Sequence, residues 1–196
     1  MDTTHYLIIP GLGGSGELHW QSWLENTQPY FVRVEQQNWD EPDMDSWVET
    51  LNNYVEKYGA DNVVLVAHSL GCLTVAEWFR SYNKSVKAAF LVAPPDIETL
   101  QQKLQRRLFQ ENPFLKLNFP TVVVSSSTDE WSAIEVAQQY AGKWGSRFVN
   151  IGNAGHINAA SGHYEWEQGL ELLNELVAVK AFCFPECVGH DVTESK

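Results

Sequence analysis

The sequence predicts a doubly wound α/β domain, with a mostly parallel six-stranded sheet and helices on both faces. Short β-rich apolar runs alternate with longer stretches of helical period, the signature of parallel βαβ units. Several of those runs are almost wholly apolar, as strands covered on both faces must be. The length, 196 residues, suits one ordinary domain and is short for two.

The first strand is expected at residues 6–9, and the glycine-rich stretch from Pro10 to Gly16 separates it from a helical pattern at 19–26. A second strand follows at 31–35, then a helix at 44–58 that Asp43 or Asp45 opens and Gly59 closes. The third strand, 63–67, runs almost directly into a helix at 70–82, and the fourth is 88–92. Ile97, Leu100, Leu104 and Leu108 recur at helical spacing and predict one amphipathic helix over 97–109, with Lys103, Arg106 and Arg107 facing elsewhere. The fifth strand is expected at 121–125, a helix at 133–144, the sixth strand at 147–151 and a last helix at 164–179. The chain therefore divides into a domain over residues 1–180 and a loose or partly docked tail over 181–196. Right-handed crossovers place the loops after the carboxyl ends of the strands around one crevice, and those loops are where chemistry is sought.

Composition narrows the function. A formal net charge of −12 argues against nucleic acid and against an anionic membrane, because both require clustered Lys and Arg. Arg106-Arg107 is the nearest thing to a cluster. The first residues show no secretory leader pattern, and no apolar stretch reaches membrane-span length, so a cytoplasmic setting is expected. Of the three cysteines, Cys72 falls in an expected core helix, and Cys183, Cys187 and His190 offer too few ligands for zinc. Eight tryptophans are read first as core filler.

Three strand ends carry residues of one chemistry. After the third strand, Ala67-His68-Ser69-Leu70-Gly71 resembles the G-x-S-x-G turn that holds a serine above a sheet, with Ala in place of the first Gly. Ser69 is the expected nucleophile, although it also suits a helix cap. After the fifth strand, Asp129 in Ser127-Thr128-Asp129-Glu130 is the expected acid; Glu130 and Asp96 compete, and Asp129 too suits a helix cap. Beyond the sixth strand, His156 in Gly155-His156 is the expected base and completes the order Ser, Asp, His. His68 is read as shaping the turn and His19 as an anchoring residue, while His5, His163 and His190 are expected at the surface.

The glycine loop admits two readings, since backbone N–H groups hold anions and oxyanions alike. A dinucleotide fingerprint can be traced through Gly11, Gly13 and Gly16 but leaves Ser69, Asp129 and His156 without a role, and no Lys-Ser or Lys-Thr closes a Walker loop. In the hydrolase reading the N–H groups of Leu12 and Leu70 form an oxyanion hole. A plain strand-to-helix turn is the bland alternative. Phe109, Pro113, Phe114, Leu115 and Trp131 are the candidate apolar walls of an acyl pocket or, equally, ordinary core.

These residues resemble the small serine hydrolases related to retinoblastoma-binding protein nine, within the α/β-hydrolase superfamily. The resemblance rests on Pro10-Gly11-Leu12-Gly13-Gly14-Ser15 with His19-Trp20, on Ala67-His68-Ser69-Leu70-Gly71, on Thr128-Asp129 and on Gly155-His156, and spans residues 6–180. It implies a compact α/β-hydrolase fold and carboxylesterase-like or peptidase-like activity, and some members are thought of mainly as interaction proteins. The expected function is cleavage of a small carboxylic ester, thioester or amide through a Ser69 acyl-enzyme, with a small-molecule acyl substrate and neither cofactor nor metal. The rival is a binding module on a hydrolase scaffold, whose protein partner the sequence does not identify.

Overall fold

The computed structural model describes residues 3–109 and 114–178. Pro113, the end of the last expected helix and the tail with Cys183, Cys187 and His190 lie outside the described residues. Six strands, β1 (His5–Ile9), β2 (Phe31–Arg33), β3 (Val63–His68), β4 (Ala88–Val92), β5 (Thr121–Ser125) and β6 (Arg147–Asn150), form one sheet. Its order is β2-β1-β3-β4-β5-β6, and every neighbouring pair is parallel. The helices are α1 (Trp20–Thr27), α2 (Met44–Tyr58), α3 (Leu70–Tyr82), α4 (Ile97–Leu104), α5 (Ile134–Trp144) and α6 (Glu167–Ala178).

Strand alternation sorts the core into two layers. Leu7, Ile9, Leu65, Ala89, Leu91 and Val123 join Leu51, Trp78 and Trp144 on one face. Val64, Val66, Phe90, Val92 and Val124 meet Trp20 and Leu24 from α1, Leu173 from α6 and Trp166 just before α6 on the other. Each face of β3 and β4 is covered, which explains why these strands read as continuous apolar runs. Trp20, Trp47, Trp78 and Trp144 are among the largest fully buried side chains and Trp166 is buried with them, so more than half of the tryptophans lie in the core.

The strand order reverses between β1 and β3, so the crevice at a topological switch point opens beyond their carboxyl ends. Two sequence features build that point. Gly71 lies against the end of β1, where an added Cβ would stand 2.2 Å from the Ile9 carbonyl oxygen. Gln21, fully buried, donates to the carbonyls of Ile9 (3.3 Å) and Val66 (3.0 Å) and so bridges β1 and β3 beneath the crevice.

Several boundaries differ from expectation. Strand β2 stops at Arg33 and β6 at Asn150, both edge strands whose ends have a partner on one side only. Asp43, not Asp45, caps α2, accepting from Ser46 N–H at 2.9 Å, and Gly59 closes it at φ +78°. Helix α4 ends at Leu104 instead of continuing to Phe109. Gln105 turns left-handed (φ 51°) and its N–H satisfies the last carbonyls, after which Leu108 N–H donates to the Gln101 side chain at 3.0 Å. Leu108 and Phe109 are buried by this fold-back and not by helix continuation. Helix α6 begins at Glu167, three residues after the periodicity suggested.

Candidate active site

Ser69 sits between β3 and α3 at φ 54° and ψ −126°, a conformation that costs a non-glycine residue on the order of 1–3 kcal/mol. Its own N–H still pairs with Val92 (2.9 Å), so the turn is fastened to β4. The glycine loop runs directly alongside. A Cβ on Gly11 would lie 2.8 Å from the Ser69 Cβ and 3.1 Å from the Leu70 nitrogen, so only glycine lets the two backbones approach. Leu12 begins a short 3-10 turn, Leu12–Gly14, and Leu70 is the first residue of α3. Both N–H groups thus belong to first turns, whose amides have no intrahelical acceptor. The loop is held by Gly13 N–H to Trp39 (3.2 Å) and by Arg33, which donates to the Gly14 carbonyl at 2.5 Å.

His156 reaches the same point from the loop after β6. Its Nε2 lies 2.9 Å from the Ser69 hydroxyl, and its Nδ1 lies 2.9 Å from each carboxylate oxygen of Asp129. With an anionic acceptor on Nδ1, the neutral ring carries its proton there and presents Nε2 as the acceptor for Ser69. Both side chains are sealed from solvent, at 7% exposure for His156 and 2% for Asp129. Asp129 is itself braced by Trp131 N–H at 2.9 Å. The acid and base loops are tied to each other: Ser126 Oγ accepts from Ala154 N–H (2.9 Å) and Thr128 Oγ1 from Gly155 N–H (3.1 Å). The structure therefore brings Ser69, Asp129 and His156 together, with Leu12 and Leu70 beside them.

The competing acids are otherwise employed. Asp96 caps α4 through Thr99 N–H (3.1 Å) and accepts from the Tyr140 hydroxyl (3.2 Å), while Glu130 is exposed. Burial, then the Arg33 charge and the neighbouring imidazoles, hold His19 down to about 3, and burial with the neighbouring imidazoles holds His68 well below the ordinary histidine range, so neither is protonated near neutrality. His19 caps α1 by accepting from Gln21 N–H at 3.1 Å. His5 and His163 are half-buried. Cys72 is buried, and its thiol, donating to Val92, is pushed up well above its ordinary range, which makes it unreactive.

Of the proposed pocket walls, Trp131 stands at the site, 5.7 Å from the His156 ring. Lys103 does not face elsewhere: its amino group lies 3.8 Å from the Trp131 ring centre. Phe114 packs on Tyr140 and Trp144, which places it in the core, and Leu115 is half exposed. Trp20, Gln21 and Arg33 brace the site and carried no role in the sequence reading beyond Trp20 in the His19-Trp20 pair. Among the described residues no group of His, Cys, Asp and Glu could hold a metal ion, and no helix is long and apolar enough to cross a membrane.

A family pattern described as serine hydrolase matches residues 6–175. Among solved structures, a YdeN-like hydrolase from Pectobacterium atrosepticum is 29% identical, with a TM-score of 0.80 over 90% of this chain and 92% of its own. The ydeN gene product of B. subtilis is 20% identical, with a TM-score of 0.73 over 90% of this chain and 100% of its own. The esterase Est2 from Thermogutta terrifontis, solved with butyrate bound, shares the fold at 14% identity and a TM-score of 0.66, over 94% of this chain and 86% of its own. No curated protein sequence matches.

Proposed function

The chain belongs to the serine hydrolase family, and on that premise we propose that it hydrolyses small carboxylic esters, or related thioesters and amides, through an acyl-enzyme on Ser69. The observation that carries the proposal is the continuous relay of contacts, each 2.9 Å, from the Ser69 hydroxyl through the His156 ring to the Asp129 carboxylate. His156 Nε2 removes the hydroxyl proton as Ser69 Oγ attacks the carbonyl carbon. Asp129 keeps the Nδ1 proton in place and stabilises the imidazolium. The Leu12 and Leu70 N–H groups hold the negative oxygen, and one such preorganised donor is worth about 3 to 4 kcal/mol of barrier. The imidazolium then protonates the leaving group, and water, activated by the same ring, releases the acid.

The substrate is small in this reading. Helix α4, eight residues long, is the helix between β4 and β5 among the described residues, and it meets the site through Lys103 over Trp131. A cover of that size favours short acyl chains and lacks the character of a lid that opens at a lipid surface. A cytoplasmic setting, where thiols stay reduced, suits the free thiol of Cys72.

A p-nitrophenyl ester series tests the proposal. Acetyl and butyryl esters should turn over faster than long-chain ones, with no rate jump when substrate forms micelles. Ser69→Ala should lower turnover by about a millionfold, the loss seen when another serine hydrolase loses its nucleophile. Substantial residual activity in Ser69→Ala overturns the nucleophile; a long-chain preference overturns the substrate class. Wild-type protein inert toward every ester, thioester and amide offered favours the interaction-module reading.

A further inference from the structure

The loop that delivers His156 holds its backbone in an uncomfortable shape. Gly152 and Gly155 have φ of 83° and 57°, which glycine tolerates, but Ile157 follows the base at φ 48°. A β-branched residue in the left-handed region is a genuine outlier, and such strain persists only where the surroundings impose it.

Two buried N–H groups impose it. The His68 Nε2–H donates to the carbonyl of His156 at 2.9 Å, and the Trp20 indole N–H donates to the carbonyl of Ile157 at 2.9 Å. Both donors are almost fully buried, His68 at 4% exposure and Trp20 at 1%, so each bond forms out of competition with water. A carbonyl can only accept, so the proton of His68 must sit on Nε2. The His19 ring packs edge-on against His68 (4.6 Å between centres), and the His156 ring also meets it edge-on, at 4.9 Å. The two donors also come from the regions that form the rest of the site. His68 precedes Ser69, and Trp20 opens the helix that follows the glycine loop. From the opposite side the acid loop holds the N–H groups of Ala154 and Gly155. The loop of the base is thus held through its own carbonyls, at residues 156 and 157, by the N–H groups of His68 and Trp20, and through its own amides, at residues 154 and 155, by the hydroxyls of Ser126 and Thr128.

We propose that Trp20 and His68 are positioning residues that fix the His156 ring against Ser69 by holding the carbonyls of residues 156 and 157. The proposal rests on the acyl-enzyme reading above. Loss of either N–H lets the strained loop relax, and a displacement of about 1 Å at a reacting group can cost on the order of a hundredfold in rate.

Three variants separate positioning from packing. Trp20→Phe keeps an aromatic ring against Trp166, which lies 5.3 Å away, but has no N–H. His68→Leu removes the other donor, and His68→Gln places an amide N–H near the position of Nε2. Hydrolysis of p-nitrophenyl acetate and the labelling rate with a fluorophosphonate are measured, together with the melting temperature. Trp20→Phe and His68→Leu should lower kcat and the labelling rate at least about tenfold with KM within about twofold, and His68→Gln should recover most of the loss. The downfield proton resonance of Nδ1–H between His156 and Asp129 should shift or broaden in the two deficient variants. Trp20→Phe that folds and keeps wild-type kcat and labelling overturns the proposal, as does His68→Gln behaving like His68→Leu. Should His68→Leu not fold, Trp20→Phe and His68→Gln decide alone. Wild-type protein that no fluorophosphonate labels at Ser69 overturns the acyl-enzyme reading and this proposal with it; normal wild-type labelling with unaffected variants overturns the positioning alone.

Discussion

The edge of the sheet beyond the carboxyl ends of the strands contains two kinds of loop. Those carrying Ser69 and His156 are built on backbone conformations few residues accept, at Ser69, Gly155 and Ile157, and the loops of Asp129 and His156 bond to each other. The segment between β4 and β5 is longer and is held by side-chain ties. Arg106 donates to the Pro42 carbonyl at 2.5 Å, Arg107 to the Phe109 carbonyl at 2.7 Å, and Lys103 rests on Trp131. In the first region buried polar atoms hold one another in fixed positions, whereas in the second these exposed ties supplement the burial of Ile97, Leu100, Leu108 and Phe109. Substitutions should therefore be severe in one and mild in the other.

The sharpest contrast pairs two aspartates that follow neighbouring strands, β4 and β5. Asp129→Asn removes the carboxylate that fixes the His156 tautomer and should lower kcat about ten-thousandfold, the loss known for the equivalent change in another serine hydrolase. Asp96→Asn keeps a side chain that caps α4 and should leave kcat within about twofold. Steady-state rates on a short ester decide it, and equal losses in both variants would erase the distinction between the two regions.

The buried histidines give a pH-dependent effect on stability. His19 stays neutral in the folded protein down to about 3, against an ordinary value of 6.5. Below pH 6.5 the unfolded chain takes up a proton that the folded chain refuses. The stability this residue leaves intact at neutral pH is therefore lost as pH falls from 6.5 toward 3, by up to about 1.4 kcal/mol per pH unit. His68 acts in the same direction. His19→Asn retains an acceptor for Gln21 N–H, and its urea-denaturation midpoint should fall less steeply than wild type between pH 6 and 4. Parallel curves would show that His19 does not carry that proton.

The mildest effect belongs to the second region. Arg106→Ala removes the tie to Pro42 and should destabilise by no more than about 1 kcal/mol, with kcat within about threefold. A large loss of rate would mean that this segment is as fully determined as the site loops.

The same contrast explains what the sequence made legible. The six strands, the alternation of faces and the meeting of Ser69, Asp129 and His156 could be read because each depends on local signals: apolar runs, a small residue beside a strained turn, and side chains at strand ends. The end of α4 could not be read. Leu108 continued the helical period, but it is buried by a fold-back after Gln105 that depends on Gln101 and on distant Pro42. Phe114 was ambiguous for the same reason, since only packing against Tyr140 and Trp144 assigns it to the core. Trp20 and Gln21 were visible as residues, but their bonds to Ile157, Ile9 and Val66 cross up to 137 positions of sequence and follow no local pattern.

The central claim is that Ser69 is a nucleophile activated by His156. Intact-mass and peptide-mapping measurements after exposure to a fluorophosphonate test it most directly, because only an activated serine displaces fluoride to form the phosphonyl ester. One adduct per chain, located on Ser69 and absent from Ser69→Ala and His156→Ala, is the predicted result. An unlabelled wild-type protein, or an adduct on any other residue, would contradict it.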